Sequence, residues 1–342
     1  MASAKYTCAN CGKTYARKSA FDTHVAQCSP KSRTVTASIM MRPFLKWVGG
    51  KTQILEDVLS KFPPQIQDYY EPFLGGGSVL LGLLSKIRSN EIHVSGKIRA
   101  SDLNADLISL YRNIQSNVEA LLVELRILCG EYGACDSGGP VNRAATNREE
   151  ALSSPESYYF WIRMRFNGLA AEVRSSALAS AMFLFLNKTC FRGLYRVGPR
   201  GFNVPFGNYK SPSVFDEAHI REVSEWIRDV EFSVAPFEVA MGPAGAGDFA
   251  YLDPPYAPEN EKSFVAYTAD GFDLAANQRL FRVCREATEK RVRFALSNAD
   301  VDLIREAFRG YRTLTLSCRR AIHSKEPDAK TNELLIWNDE NL

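Results

Sequence analysis

Long apolar runs are missing from this sequence. The longest, residues 177–186, is about half the ~20 residues needed to cross a bilayer, so no membrane role is expected. Met1-Ala2-Ser3 leads into polar residues instead of an apolar signal segment, which points to an intracellular protein. Eight cysteines in 342 residues are too few and too irregularly spaced for a disulfide scaffold, so a reducing compartment is expected. No internal repeat occurs. Apolar residues at 45% and charged ones at 24% exclude disordered, collagen-like and coiled-coil chains, and the length suggests about two folded units. Acids are scarce in residues 1–42, where Asp22 alone faces Lys5, Lys13, Arg17, Lys18, Lys31, Arg33 and Arg42, a net +6 against −3 for the rest of the chain. A basic head on a near-neutral body suggests a local polyanion contact, unless the tail is merely solvated.

That head contains a metal-ligand pattern. Two residues separate Cys8 from Cys11, twelve separate Cys11 from His24, and three separate His24 from Cys28. Four soft ligands so spaced can close a tetrahedron around zinc, and Tyr6, Tyr15 and Phe21 supply the small core such a fold needs. The segment resembles a Cys-Cys-His-His zinc finger with Cys28 as its last ligand. In the usual docking, helix positions −1, 3 and 6 read bases, here Arg17, Ala20 and Thr23; only Arg17 is a strong reader, favouring guanine. One finger spans about three base pairs, so it adds affinity more than specificity; a protein-docking finger is the alternative. Residues 29–41 are small and polar and read as a linker.

Four motifs follow in the body. Phe44-Leu45-Lys46-Trp47-Val48-Gly49-Gly50-Lys51 offers two glycines for close ligand approach, a stacking face on Trp47 and a cation on Lys51 for a carboxylate, ahead of a helix-like segment at residues 52–62. Glu71-Pro72-Phe73-Leu74-Gly75-Gly76-Gly77, between a strand and a helical run, resembles the opening of a nucleotide-binding α/β unit, although an ordinary tight turn would look the same. Its glycines match neither Gly-x-Gly-x-x-Gly nor a phosphate loop, so a pyrophosphate or triphosphate is not the natural ligand. Asp102 ends a second strand, at residues 97–101, near where such folds place a carboxylate on ribose hydroxyls; helix capping is its rival role, one that Asn104 or Asp106 can also fill. Lastly, an apolar strand delivers Asp253-Pro254-Pro255-Tyr256, an acid and a ring on a stiff turn whose prolines leave carbonyls available as acceptors.

These motifs, in this order over residues 44–338, resemble the Dam-type DNA adenine-N6 methyltransferases, whose signature is Asp-Pro-Pro-Tyr. The resemblance implies S-adenosyl-L-methionine as cofactor and an α/β, Rossmann-like fold with an inserted, mainly helical DNA-recognition domain. It also implies that Trp47, Lys51, Glu71, Pro72, Phe73, Gly75, Asp102 and Asp253 hold the cofactor, with Lys51 toward the methionine carboxylate and Asp102 on the ribose. Asp253 and the Pro254 carbonyl would accept the two amino hydrogens of adenine, and Tyr256 would stack on the flipped base. Cytosine C5 methylation needs a cysteine after proline, and none of Cys129, Cys135, Cys190, Cys284 or Cys318 is so placed. Asn at the Asp253 position would favour glutamine or RNA methylation instead. A non-catalytic DNA-binding regulator on the same fold, and an RNA or protein methyltransferase, are the rival functions.

The expected domains are residues 1–28, finger; 29–42, linker; 43–114 and 215–342, catalytic; and 115–214, target recognition. Helices are expected at 117–129, 158–167 and 175–186, a mobile surface loop at 130–155, and a hairpin at 191–207 turning near residues 198–201. From Asn187 to Lys210 five basic residues meet no acid, with aromatics between them, a pattern suited to groove insertion unless the arginines are simply solvated. By resemblance to members that methylate GATC, Phe191, Leu194, Arg196 and Pro205 read or enter the site, and Lys46 contacts its first guanine. Arg192, also assigned to DNA, stands where Asn is common, and the turn before Phe202 is short; both bear on the outer bases. Strands are expected at 292–298 and 333–338, a helix at 301–308, and a basic stretch at 318–325 that touches phosphate or solvent. The expected partners are double-stranded DNA and, in a modification system, a cognate restriction enzyme, with the chain a monomer.

Overall fold

Two units make up the chain, Met1–Met40 and Met41–Leu342. The computed structural model describes residues 6–7, 14–15, 17–27, 40–210, 212–257, 272–319 and 330–338. In the first unit Tyr6–Thr7 and Thr14–Tyr15 pair antiparallel, and a helix covers Lys18–Gln27. Its start puts Arg17, which is exposed, immediately before the helix. The three expected core rings meet: Phe21 lies 5.8 Å from Tyr6 and 6.4 Å from Tyr15, between centroids, and Tyr15 lies 5.0 Å from the His24 ring. Cys8, Cys11 and Cys28 lie outside the described residues. Among the described residues no group of three or more His, Cys, Asp or Glu is placed to hold a metal ion.

The second unit is built on a seven-stranded sheet. In chain order its strands are β1 Tyr69–Glu71, β2 Ile98–Asp102, β3 Val230–Val234, β4 Phe249–Leu252, β5 Arg293–Ala299, β6 Arg312–Arg319 and β7 Lys330–Trp337. Their spatial order is β6-β7-β5-β4-β1-β2-β3. Strands β1 to β5 run parallel, and β7 is antiparallel to both neighbours. Every residue of β1 and β4 is buried, as parallel strands covered on both faces must be. Chain order reverses between these two strands, where β1 starts one half of the sheet and β4 the other. An open α/β sheet binds ligands outside the carboxyl ends of strands at that point.

The main helices are α1 Ser78–Arg88, α2 Ala105–Ser116, α3 Val118–Gly133, α4 Pro155–Asn167, α5 Ala177–Thr189, α6 Glu217–Trp226 and α7 Leu274–Glu289. On α7 the buried Leu280, Cys284 and Ala287 fall at one-turn spacing and pack in one core cluster with Phe294, Leu296 and Leu252 of the sheet. Helix α5 is buried along almost its whole length because α2, α3 and α4 all pack against it. No helix among the described residues is long and apolar enough to cross a membrane.

Several local expectations change. Residues 52–62 hold only a 3₁₀ turn at Lys51–Gln53 and a short helix at Leu55–Leu59. The segment expected as a surface loop is partly structured: α3 runs on to Gly133, Asn147 caps a short helix at Arg148–Ala151, and Ser154 caps α4 with Pro155 at its first turn. Helix α6 and strand β3 were not anticipated. Strand β6 covers part of the segment expected to be a basic stretch; its remainder, residues 320–325, lies outside the described residues.

Candidate active site and nucleic-acid interface

The loop before α1 is shaped by what presses on it. Gly75 and Gly77 have φ of +48° and +67°, and a Cβ on Gly77 would collide with the Tyr111 hydroxyl. A Cβ on Gly75 would stand 2.9 Å from Trp47 Cδ1, and one on Gly76 2.8 Å from Trp47 Cβ. The glycines expected to clear a ligand's path therefore also admit Trp47 and Tyr111. Trp47 in turn stacks on Tyr195, 5.8 Å away at 24°. Pro72 is buried, and Phe73 stacks on Phe237 at 5.3 Å.

Asp102, at the end of β2, accepts the Gly75 N–H at 3.0 Å and the Asn104 N–H at 2.9 Å. Asn104, not Asp102, caps α2 by accepting the Leu107 N–H. The carboxyl is thereby fixed beside the glycine turn; burial raises its pKa and the backbone amides oppose the rise. Glu71 is buried at the end of β1 and accepts the Tyr69 hydroxyl at 2.7 Å. Burial pushes it up to about 8.

Asp253 follows β4 directly. Its Oδ2 meets Lys51 Nζ at 2.7 Å, and the same ammonium donates to the Gly49 carbonyl at 2.6 Å. Two of the ammonium's three N–H bonds are so committed, in a side chain of a residue only 3% exposed. Burial raises Asp253 to about 6 although Lys51 pulls it down. Lys51 Nζ also stands 5.0 Å from the centre of the Tyr256 ring, which gathers cation, acid and ring at one place. Pro254 is buried, and Tyr256, half-buried, donates its hydroxyl to Glu333 Oε2 at 2.8 Å.

The sequence profile of the D12 class N6 adenine-specific DNA methyltransferases matches residues 47–322. The chain belongs to this class. It is 34% identical over 308 residues to "Type II methyltransferase M.MjaIII" of Methanocaldococcus jannaschii, covering 87% of this chain and 99% of that protein. To the "DNA adenine methylase" of Escherichia coli it is 31% identical over 297 residues, covering 86% and 94%. A "DNA adenine methylase" of Haemophilus influenzae is 29% identical over 311 residues, covering 90% and 96%. This protein is an adenine-specific DNA methyltransferase, and its family uses S-adenosyl-L-methionine.

In this D12-class methyltransferase the basic segment after α5 is a hairpin. Val197 pairs with Phe202 and Gly198 with Gly201, and a bridge joins Cys190 to Phe206. One face of α4 holds its returning strand. Tyr159 donates its hydroxyl to the Val204 carbonyl at 2.7 Å, Arg163 donates to the same carbonyl at 3.0 Å, and Asn167 bonds both the N–H and the carbonyl of Phe202. These three residues stand four apart, so one helix face supplies hydrogen bonds as a neighbouring strand would.

Asn187, near the end of α5, accepts the Lys46 N–H at 3.0 Å and donates to the Lys46 carbonyl at 2.7 Å and the Gly193 carbonyl at 3.3 Å. A Cβ on Gly193 would collide with Lys46, so this glycine lets the first motif lie against the hairpin's approach. Five of the residues assigned to DNA are exposed, namely Lys46, Phe191, Arg192, Arg196 and Pro205, and Leu194 is half-buried. Phe191 is 43% exposed, a large ring left in solvent. Arg192 has φ of +57° and donates its N–H to the Tyr209 hydroxyl, while Arg196 bonds Asn203 Oδ1 at 2.6 Å. Lys46 Nζ lies 4.2 Å over the Tyr209 ring, and nearby Lys188, half-buried, is pushed down to about 8 by desolvation, with repulsion from Lys46 adding to it. Sequence patterns did not single out Asn187, Asn167, Glu333 or Asn298, because each acts on a partner distant in the chain.

Proposed function

We propose that this methyltransferase moves the methyl group of S-adenosyl-L-methionine to N6 of an adenine everted from duplex DNA. The support that carries most weight is the meeting of Asp253, Lys51 and Tyr256 beyond β4, next to the strand that leads into the glycine turn. The donor set suits the cofactor: a fixed carboxylate at Asp102 for ribose hydroxyls, the side-chain-free turn at Gly75, and Trp47, Glu71, Pro72 and Phe73 beside it. When bound, the cofactor supplies a methyl group on a positively charged sulfur. Lys51 is assigned both to its carboxylate end and to Asp253.

Adenine's amino nitrogen is a poor nucleophile because its lone pair is drawn into the ring. Asp253 and the Pro254 carbonyl, each accepting one amino hydrogen, favour a pyramidal nitrogen with its lone pair aimed at the methyl carbon. A proton must leave nitrogen as the new bond forms, and Asp253, near pH 6, is a suitable first acceptor. Tyr256 stacks on the base.

Recognition is assigned to the domain at residues 115–214 and, within it, to Phe191, Arg192, Leu194, Arg196 and Pro205 together with Lys46, with GATC as the target. Cys8, Cys11, His24 and Cys28 are assigned to a structural zinc ion; the ligand spacing and the strand-strand-helix path with its three rings support it. Arg17 then faces DNA. Relatives named Type II methyltransferases support a cognate restriction enzyme as a further partner.

The test mixes purified protein, methyl-labelled cofactor and duplexes with GATC intact or altered at one base. Label should enter adenine of the intact site and vanish with Asp253→Ala. Label in cytosine, or in no duplex, overturns the proposal; cofactor-independent binding without transfer would identify a regulator, and preference for single-stranded RNA an RNA enzyme.

A further inference from the structure

Strand β7 enters the sheet antiparallel, so its first residues lie at the carboxyl ends of the parallel strands. Glu333 is paired there with Ala299, and Leu334 with Asn298. A carboxylate is an unfavoured residue within a strand, and here it has a defined partner, the Tyr256 hydroxyl at 2.8 Å. On the adjacent strand, Asn298 is fully buried and its Oδ1 accepts the Ala257 N–H at 3.1 Å and the Ala299 N–H at 2.8 Å. Those two donors fix the amide's orientation, since a flipped side chain would set N–H against N–H. The price of that orientation is a buried Asn298 Nδ2 with no acceptor among the described residues. A group kept at such a cost beside an active-site loop is explained if the backbone it holds matters more than its own satisfaction.

We infer that Glu333 and Asn298 are positioning residues that clamp the Tyr256-Ala257 dipeptide, one through the side-chain hydroxyl and one through the backbone, and so set the plane of the ring that receives the target base. Consecutive residues held from two strands leave the ring little freedom to swing about its own backbone. Glu333 acts on the reaction through the Tyr256 hydroxyl that it holds. Its carboxylate also raises the pKa of Asp253, which a neutral replacement relieves.

The inference rests on the methyltransferase proposal, and the experiment separates the two. Wild type, Glu333→Ala, Glu333→Gln, Tyr256→Phe and the double variant Glu333→Ala/Tyr256→Phe are compared in single-turnover methylation and duplex binding, with 2-aminopurine at the target position reporting eversion. Glu333→Ala should slow transfer by about 10- to 100-fold while duplex affinity changes little, since a small misplacement costs rate more than binding. Tyr256→Phe should match it, the double variant should be no slower than either single one, and Glu333→Gln, whose amide oxygen still accepts the hydroxyl, should recover much of the rate. Additive losses, or equal losses in rate and affinity, would overturn the clamp. If Glu333→Ala does not fold, Tyr256→Phe carries the test alone: an unchanged rate and 2-aminopurine signal refute it. An inactive wild type refutes the parent proposal instead.

Discussion

Lys51 Nζ and Asp253 Oδ2 stand 2.7 Å apart, joining the first motif of the catalytic unit to its Asp-Pro-Pro-Tyr motif. A carboxylate taken out of water holds its charge poorly, and the ammonium offsets part of that cost. Asp253, at about 6, must be ionised to take up the proton that leaves the amino nitrogen, so transfer should fall as pH drops through 6. Lys51→Met should move that midpoint upward, and at pH 7 the rate falls on the order of tenfold once it lies a unit above neutrality. A single-turnover pH profile measures both, and an unmoved acidic limb would show that the pair does not govern Asp253.

Glu71 makes a separate prediction about stability. Its carboxyl is near 4.5 when the chain is unfolded and about 8 when folded, so the folded protein binds the extra proton between those values. Stability should therefore decline as pH rises from about 4.5 to 8. Asp253 adds a similar decline only up to about 6, and Lys188, held down at about 8, adds an opposing rise only near and above that pH, so Glu71 dominates between 6 and 8. Melting temperatures across that upper window should fall for wild type and stay flatter for Glu71→Gln; parallel slopes would contradict the assignment.

Gly77 tests the glycine turn without touching the chemistry. Gly77→Ala must adopt φ of +67° and displace the Tyr111 hydroxyl. The expected loss is at least ~2 kcal/mol, read by urea denaturation. A loss below about 0.5 kcal/mol, the scale of an ordinary surface change, would mean that the turn can relax.

Asn187 links the first motif to the recognition hairpin. Asn187→Ala strips the Lys46 N–H and carbonyl of their partners and should cost ~1–3 kcal/mol in stability. Duplex binding should weaken as well, because Lys46 loses its fixed backbone. Calorimetry and fluorescence anisotropy on the same preparation check the two together; wild-type affinity would show that Lys46 needs no such brace.

For the finger, Cys8→Ser or zinc chelation should weaken duplex binding and reduce its salt dependence, with single-turnover transfer at saturating DNA retained. Unchanged binding would assign the finger to a protein partner.

Much of this was legible one segment at a time. The strand before Asp253, the helices at α3, α4 and α5, and the hairpin turn between Val197 and Phe202 all lay within a few residues of where periodicity and glycine or proline placed them, and the helix start after Arg17 lay where the resemblance to a zinc finger placed it. Strand β6 escaped because an edge strand with polar residues on one side looks like exposed chain. The connection around residues 130–155 escaped because its structure rests on short caps and on Glu131 bonding the Tyr158 hydroxyl and Arg148, which no periodicity reveals.

By itself the sequence determined the chemistry on offer: an acid, a carbonyl and a ring on one stiff turn, a glycine turn, and basic residues among aromatics. Those depend on neighbours in the chain, and local sterics decide them. Tertiary structure alone decided that Lys51 faces Asp253, that Asn187 grips a backbone 141 residues away, and that Glu333 holds a tyrosine 77 residues earlier. Such partners meet only when parallel strands line up with their carboxyl ends together, because a hydrogen bond requires contact in space and carries no signature in spacing along the chain.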